Sequence, residues 1–479
     1  MNHLYLLLIM LAVHETAAQK WVDTSYQIHT SFDITYGTDT AFAGREDTLR
    51  LDISYPLNDT VPECGRPLMA IIHGGAWLGG DKNEGYVKRW REDFAKRGYV
   101  TASINYRLGM FHTNQYINCN VPDWNCYNMT DTSEWYRANF RAIQDVNGAL
   151  RYLVNQAAEY QIDPDNVFVV GESAGGFIAM GVGFIDDPSE VLSGLTEEFT
   201  EAPAPNQLYE NNCIQAYGLA NNIEEMDLSR PGLGDYQGSL NTSMEEDYQI
   251  KAVGSFYGGA FNNIFESHGT QAPALYLYHQ PCDLIVPYLQ NKLLAGLNSC
   301  FTGFPTFCQN IINRPIVFGS LGIKQLIDEM AQNNIPACDY FFDNTTSNAD
   351  CLQQAIDPNA VCHAIDNYWL RSTNMATYFA GFIDSCQVIN QDTDLSGRKL
   401  AIDALYPNPA NNKLYLKLSH HTGPIQIQCF TVLGNNVDIS YQINQSEIAI
   451  DVSTFSSGWY YLEVVSEKNQ RLVCTFIKS

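Results

Sequence analysis

Between Thr48 and Ile383 the apolar positions follow two alternating rhythms. Unbroken runs read as buried strands: Leu68-Met69-Ala70-Ile71-Ile72, Val100-Thr101-Ala102-Ser103-Ile104, Val167-Phe168-Val169-Val170 and Ala274-Leu275-Tyr276-Leu277-Tyr278. Between them lie stretches with apolar residues at helical spacing. Val87 and Phe94 mark one from Asp81 to Arg97, and Ile143, Val146, Leu150, Leu153 and Val154 share a face between Ala138 and Tyr160. A further helix is predicted from Tyr368 to Ile383, and Asp163-Pro164 is a turn signal ahead of the Val167 run. Parallel strands need a crossover, so strand, helix, strand in this order predicts an α/β fold: a mostly parallel sheet with helices on both faces.

Two regions break the rhythm. Residues 109–136 and 186–248 are rich in Asn, Asp, Pro, Tyr and Trp and follow elements that flank the mouth of such a sheet, so they read as insertions over a site there. A polar linker at 390–399 closes this first unit, assigned to residues 19–389. Beyond it the period changes to two: Leu414, Leu416 and Leu418 alternate with Lys413, Tyr415 and Lys417, and Ile448, Ile450 and Val452 repeat the pattern. A small β-sandwich over residues 400–479 is expected.

The N-terminus carries an apolar run from Leu4 to Val13, then Thr16-Ala17-Ala18 before Gln19. Small residues at the −1 and −3 positions after such a run predict a secretory signal peptide over residues 1–18, and the run is far short of the roughly 20 apolar residues that span a bilayer. No transmembrane segment is expected. Composition adds little beyond this: 45% hydrophobic and 17% charged residues in 479 describe a globular chain of more than one domain. The net charge of −26, with no basic run, would repel nucleic acid. Thirteen cysteines in an exported chain, without Cys-x-x-Cys pairs matched by His, indicate disulfides and not metal. Cys119 with Cys126 reads as a loop staple, and Cys429 and Cys474 as a pair separate from the other eleven.

The chemistry enters at Gly171-Glu172-Ser173-Ala174-Gly175-Gly176, which follows the Val167 strand and precedes a helical stretch. A serine nucleophile in this setting sits on a tight, strained turn, and the flanking glycines admit the close backbone approach that the turn requires. About one hundred residues upstream, His73-Gly74-Gly75-Ala76-Trp77 ends an earlier strand, and its tiny side chains let the N–H groups of Gly75 and Ala76 reach a developing oxyanion together with that of Ala174. His73 reads as a structural brace for this loop, because the base should follow Ser173 in the chain.

A hydroxyl needs an imidazole to take its proton, and the imidazole needs a carboxylate to fix its tautomer. Asp283 stands on the loop just after the Ala274 strand and is the acid candidate; Asp339, Asp343 and Asp357 lack such a strand and read as solvated loop residues. Downstream of Asp283 the histidines are His363, His420 and His421. The last two fall in a turn of the sandwich, so His363, ahead of the predicted helix, is the base candidate. Cys282 and Cys362 directly precede acid and base. If the two side chains meet, these cysteines come within disulfide range, with Cys351 to Cys362 as the rival pairing.

These residues resemble the carboxylesterase and lipase branch of the α/β-hydrolases over roughly 45–385, carried by His73 to Trp77, Asn105-Tyr106-Arg107-Leu108, Asp163 to Asn166, Gly171 to Gly176 and His279 to Pro287. The resemblance implies the α/β-hydrolase fold, a triad of Ser173, Asp283 and His363, an oxyanion hole of Gly75, Ala76 and Ala174, and no metal or organic cofactor. The long Cys-containing segment from Ser299 to Cys362 departs from the short connection usual before the base. The C-terminal unit resembles the type A sorting domain of the Por, or type IX, secretion system, through Ala404 to Pro409, Leu414-Tyr415-Leu416, Val432 to Val437 and Ser457 to Leu462. It implies the type IX machinery as partner and a destination outside the cell or on its surface, by way of the periplasm and outer membrane. The expected activity is hydrolysis of small-molecule or polysaccharide-linked esters, acetyl or feruloyl esters and lipid-like esters among them. A serine peptidase of the same fold and a non-catalytic surface binding protein are the alternatives.

Overall fold

The computed structural model describes residues 20–109, 132–195, 231–244, 246–266, 272–300, 314–384, 401–406, 410–419, 425–431, 436–444, 447–466 and 471–478. The chain divides into two compact units, residues 1–386 and 387–479. The first holds an eight-stranded sheet in the order β1-β2-β4-β3-β5-β6-β8-β11. Its strands are β1 (Gln27–Thr40), β2 (Glu46–Leu57), β3 (Arg66–Ile72), β4 (Val100–Ile104), β5 (Ile162–Glu172), β6 (Ile250–Phe256), β8 (Ala274–His279) and β11 (Tyr340–Asn344). All pairs from β4 to β11 are parallel, whereas β1 and β2 pair antiparallel at the edge. A separate small antiparallel sheet joins β7 (Gly259–Ala260), β9 (Gln290–Lys292) and β10 (Ile316–Gly319).

The parallel strands are apolar on both sides because helices cover both. On one face Val167 and Val169 pack in a cluster with Ile143 and Val146 of the helix Thr132–Asn155 and with Phe177 and Ile178 of the helix Ala174–Phe184. On the other, Phe168 stacks on Phe379 of the helix Tyr368–Ala380, and Trp90 of the helix Gly85–Lys96 donates to Ser372 of that same helix. Val87 and Phe94, the positions that announced this helix, are fully buried.

The turn signal at Asp163-Pro164 takes a different form from the one expected. These residues lie inside β5, where Pro67 pairs with Asp163 but Leu68 with Val167, so the extra residues loop out of the ladder. Asp163 closes that bulge by accepting from the Asp165 N–H and from Asn166 Nδ2. Of the two interrupting regions, 110–131 and 196–230 lie outside the described residues. Residues 231–244 run along the helix Thr132–Asn155, whose Gln144, Asn147 and Arg151 donate to their backbone carbonyls.

The second unit is two four-stranded antiparallel sheets. One contains β12 (Ala401–Tyr406), β13 (Lys413–Ser419), β16 (Ser440–Asn444) and β17 (Glu447–Asp451); the other contains β14 (Ile425–Thr431), β15 (Asn436–Val437), β18 (Gly458–Ser466) and β19 (Arg471–Lys478). Leu414, Leu416, Ile448 and Ile450 share its core with Leu462 and Val464. Cys429 and Cys474 do not pair, contrary to expectation: both are free thiols, and each faces Leu462 from an opposite side of β18. Two strands apart is about 9.6 Å, beyond the reach of a disulfide. The segments 1–19 and 385–400, Cys119, Cys126, His420 and His421 lie outside the described residues. Among the described residues no helix is long and apolar enough to cross a membrane.

Candidate active site

The C-terminal ends of β3, β5, β8 and β11 open on one edge of the sheet, where ligands of open α/β sheets bind. β5 ends at Glu172, and Ser173 follows in the left-handed region, φ 52°, as the residue that starts the helix Ala174–Phe184. That turn requires bare backbone around it. A Cβ on Gly171 would lie 2.0 Å from the Gly175 carbonyl oxygen, and one on Gly175 would lie 2.3 Å from that of Ile72. Ser173 is held by its own N–H, which donates to the Phe256 carbonyl at 2.9 Å.

His363 Nε2 lies 2.8 Å from Ser173 Oγ, and its Nδ1 lies 2.7 Å from Asp283 Oδ2. The three sequence candidates, far apart along the chain, thus stand in one hydrogen-bonded line. Asp283 is buried and its carboxylate is saturated: Oδ1 accepts the N–H groups of Ile285 (2.7 Å) and Val286 (3.1 Å), while Oδ2 also faces His279 Nε2 at 3.0 Å. Burial alone would raise its pKa. The charge of His363 and the hydrogen bonds from His279 and His363 outweigh burial and hold it at about 2. A loop carries His363 ahead of the helix Tyr368–Ala380, anchored to β8 by Gln280 Nε2 donating to the Ala364 carbonyl (2.8 Å) and to Asp283's neighbour by the Cys282–Cys362 disulfide. Cys351, the rival partner, is joined to Cys300.

Upstream, β3 runs into a loop where Gly75, Ala76 and Trp77 all take positive φ (106°, 53° and 58°). Gly74 packs against the elbow, its ideal Cβ position 3.0 Å from Ser173 Cβ. None of the turn and loop backbone hydrogen bonds between described residues uses the N–H of Gly75 or Ala76, and Ala174 is the first residue of its helix, where the N–H has no intrahelical acceptor. Gly75 and Ala76 line a cavity of about 560 Å³ together with Ser173 and His363; Ala174 is the residue directly after Ser173. His73 is buried below the loop, stacked on Tyr106 at 4.3 Å, with Nδ1 donating to the Gly74 carbonyl at 2.7 Å. Burial lowers its pKa.

The cavity wall also holds Glu172, Tyr257, Tyr86, Asp81 and Glu84, and among the described residues it has no Lys or Arg. Tyr257 donates its hydroxyl to Glu172 and sets its ring edge-on to His363, centroids 4.7 Å apart. Burial raises the Glu172 pKa, opposed by that hydrogen bond and by the charge of His363. Of the remaining carboxylates, Asp339 and Asp357 are exposed, but Asp343 is not the solvated residue expected. It is buried in β11, paired with Arg371 and accepting from the Tyr276 hydroxyl. The run Tyr340-Phe341-Phe342 before it was the strand signal that could have shown this. His279 and Glu172, like Tyr257, Tyr86, Asp81 and Glu84, are site residues to which the sequence pattern gave no role; the four-residue spacing from His279 to Asp283 was the available signal for the first.

Among known proteins, the probable isoprenylcysteine alpha-carbonyl methylesterase of Arabidopsis thaliana is 29% identical over 136 residues, 28% of this chain and 22% of that protein. Mouse bile salt-activated lipase is 30% identical over 137 residues, 28% of this chain and 20% of that one. The chain therefore spans only about a fifth of the length of these curated relatives. A solved truncated form of a carbohydrate esterase from gut microbiota is similar with a TM-score of 0.38 and 16% identity, covering 75% of this chain and 98% of that one. Residues 404–478 match the secretion system C-terminal sorting domain. Residues 51–127 and 127–296, just over half of the sequence, match the BD-FAE family, and the chain belongs to it.

Proposed function

We propose that this protein is an exported serine carboxylesterase that hydrolyses carboxylic esters through an acyl-enzyme on Ser173. The observation that carries this reading is the line from Ser173 Oγ to His363 Nε2 (2.8 Å) and from His363 Nδ1 to Asp283 Oδ2 (2.7 Å). In it, Ser173 Oγ attacks the ester carbonyl carbon while His363 Nε2 takes its proton, and Asp283 stabilises the imidazolium through Nδ1–H. The carbonyl oxygen becomes an oxyanion that accepts from the N–H groups of Gly75, Ala76 and Ala174. The tetrahedral intermediate collapses as His363 returns the proton to the leaving alcohol. Water then gives its proton to His363 and attacks the acyl carbon; His363 passes that proton to Ser173 Oγ as the acyl–Oγ bond breaks, releasing the acid and restoring Ser173.

Polysaccharide-linked acetyl or feruloyl esters and small lipid-like esters are the substrate classes of this reading. The esterase and lipase names of the relatives support ester hydrolysis in general and do not choose between these classes. The match of residues 404–478 supports export by the type IX machinery, across the outer membrane, to the surface or the medium. The test is a panel containing a nitrophenyl acetate, a feruloyl ester, a longer-chain ester and an aminoacyl anilide, run beside labelling by a fluorophosphonate probe. Ester turnover with labelling at Ser173 is expected. Preferential cleavage of the anilide would make the protein a peptidase, and absence of both turnover and labelling would make it a binding protein.

A further inference from the structure

His279 ends β8 and is fully buried. Both ring nitrogens have partners. The Ser320 backbone N–H lies 3.4 Å from Nδ1, and Ser320 Oγ lies 3.1 Å from it. A backbone N–H only donates, so Nδ1 is an acceptor and the proton of the neutral ring sits on Nε2. Nε2 in turn faces two acceptors, Asp283 Oδ2 at 3.0 Å and the Val286 carbonyl at 3.2 Å. The first of these is the same oxygen that receives Nδ1–H of His363.

We infer that His279 is a positioning residue: as a neutral imidazole protonated on Nε2, it fixes the Asp283 carboxylate toward His363 and limits the negative charge that Oδ2 presents to it. This rests on the Ser173, His363 and Asp283 reading above. Among the described residues two amide N–H groups hold Oδ1, and two histidine rings hold Oδ2. Without His279, Oδ2 would keep one donor, the ring that must change its protonation state in every cycle. A carboxylate oxygen that already accepts one hydrogen bond is a weaker acceptor for a second, so His279 moderates the pull of Oδ2 on the His363 ring. The groups facing this pair are Tyr288, edge-on to the His279 ring at 5.6 Å, and, beyond His363, Tyr257 and Glu172.

The test compares His279→Leu, which removes the donor, with His279→Gln, whose amide nitrogen falls close to the place of Nε2. For His279→Leu, kcat on an ester is expected to fall about tenfold or more with KM little changed, since a hydrogen bond to a charged group is lost. The acid limb of its kcat/KM profile should move to higher pH, because an unshared Oδ2 attracts the imidazolium of His363 more strongly. His279→Gln should recover most of the rate and return the limb. A limb that stays in place in His279→Leu, or a Gln variant as impaired as the Leu variant, overturns the proposal. Should the Leu variant fail to fold, proton–nitrogen correlation on the 15N-histidine-labelled full chain decides. The resonance lost in His279→Gln must belong to a neutral Nε2–H ring near neutral pH; an Nδ1–H tautomer or an imidazolium there overturns it. Failure of the wild type to turn over ester or to react with a fluorophosphonate would instead remove the catalytic reading, and the tautomer measurement would stand apart from it.

Discussion

Cys282 and Cys362, 80 residues apart in sequence, are joined by a disulfide with their Cα atoms 5.5 Å apart. Each immediately precedes a residue of the Asp283–His363 hydrogen bond. The covalent link and the hydrogen bond therefore span the same two loops, and the Cys300–Cys351 bridge closes a second ring inside the first. With that inner bridge present, breaking Cys282–Cys362 releases a ring of about 30 residues, for which the chain-entropy estimate is roughly 3 to 4 kcal/mol. A Cys282→Ser, Cys362→Ser double variant should melt at a lower temperature and lose kcat more than it gains KM. Calorimetry with ester kinetics checks this; an unchanged melting temperature and rate would mean that packing alone holds His363 in place.

Ser173→Ala should abolish ester hydrolysis and leave the fold intact, because Ala tolerates the elbow about as well as Ser and the proposed oxyanion donors would alone give little acceleration. Residual kcat is expected below about a hundredth of wild type. A higher rate in a folded variant, verified by circular dichroism, would place the nucleophile elsewhere.

Two carboxyls at the site give opposite pH signatures. The Asp283 pKa is lowered from 3.8 to about 2, so its contribution to stability is present above the unfolded value and is lost as pH falls from 3.8 toward 2. Burial raises Glu172 above its ordinary 4.5, so the native state holds a proton that the unfolded chain has released, and stability falls as pH rises from 4.5 through the raised value. Glu172→Gln keeps an acceptor for the Tyr257 hydroxyl and removes the ionisable carboxyl. Urea unfolding at several pH values should find it at least as stable as wild type near neutrality, with a flatter profile above pH 4.5. A variant that is less stable at neutral pH would show that the Glu172 charge is favourable in place.

Residues 19–395, expressed alone, should hydrolyse esters at the full-length rate. The cluster of Leu414, Leu416, Ile448, Ile450, Leu462 and Val464 gives the second unit a core of its own, and Ser173, Asp283 and His363 all belong to the first. The same deletion in the native host should leave the enzyme in the periplasm, as fractionation would show. A folded but inactive truncation, joined by an inactive His420→Ala in the full chain, would put the base in the sandwich.

The local parts of this protein were legible in its sequence. The runs at Leu68, Val100, Val167 and Ala274 became β3, β4, β5 and β8, because a strand covered on both faces must be apolar throughout. Alternating Leu414, Leu416 and Leu418 became β13, one side facing the core. The glycines around Ser173 and the tiny residues after His73 were readable for the same reason: backbone that approaches backbone leaves no room for a Cβ, and that demand is written at single positions.

What the sequence left open are relations between distant residues. It offered Cys351 as well as Cys282 for Cys362, and only the packing of the β8 and His363 loops set the pairs 282–362 and 300–351. It paired Cys429 with Cys474, which the insertion of β18 between their strands forbids. Asp343 looked solvated until Arg371 and Tyr276, from a helix and another strand, closed around it. His279 carried no visible role, because its tautomer is set by Ser320, 41 residues away. Periodicity and steric need act within a few residues of chain, whereas the protonation, pairing and burial of a polar group depend on whatever the fold places beside it, and only the tertiary structure decides that.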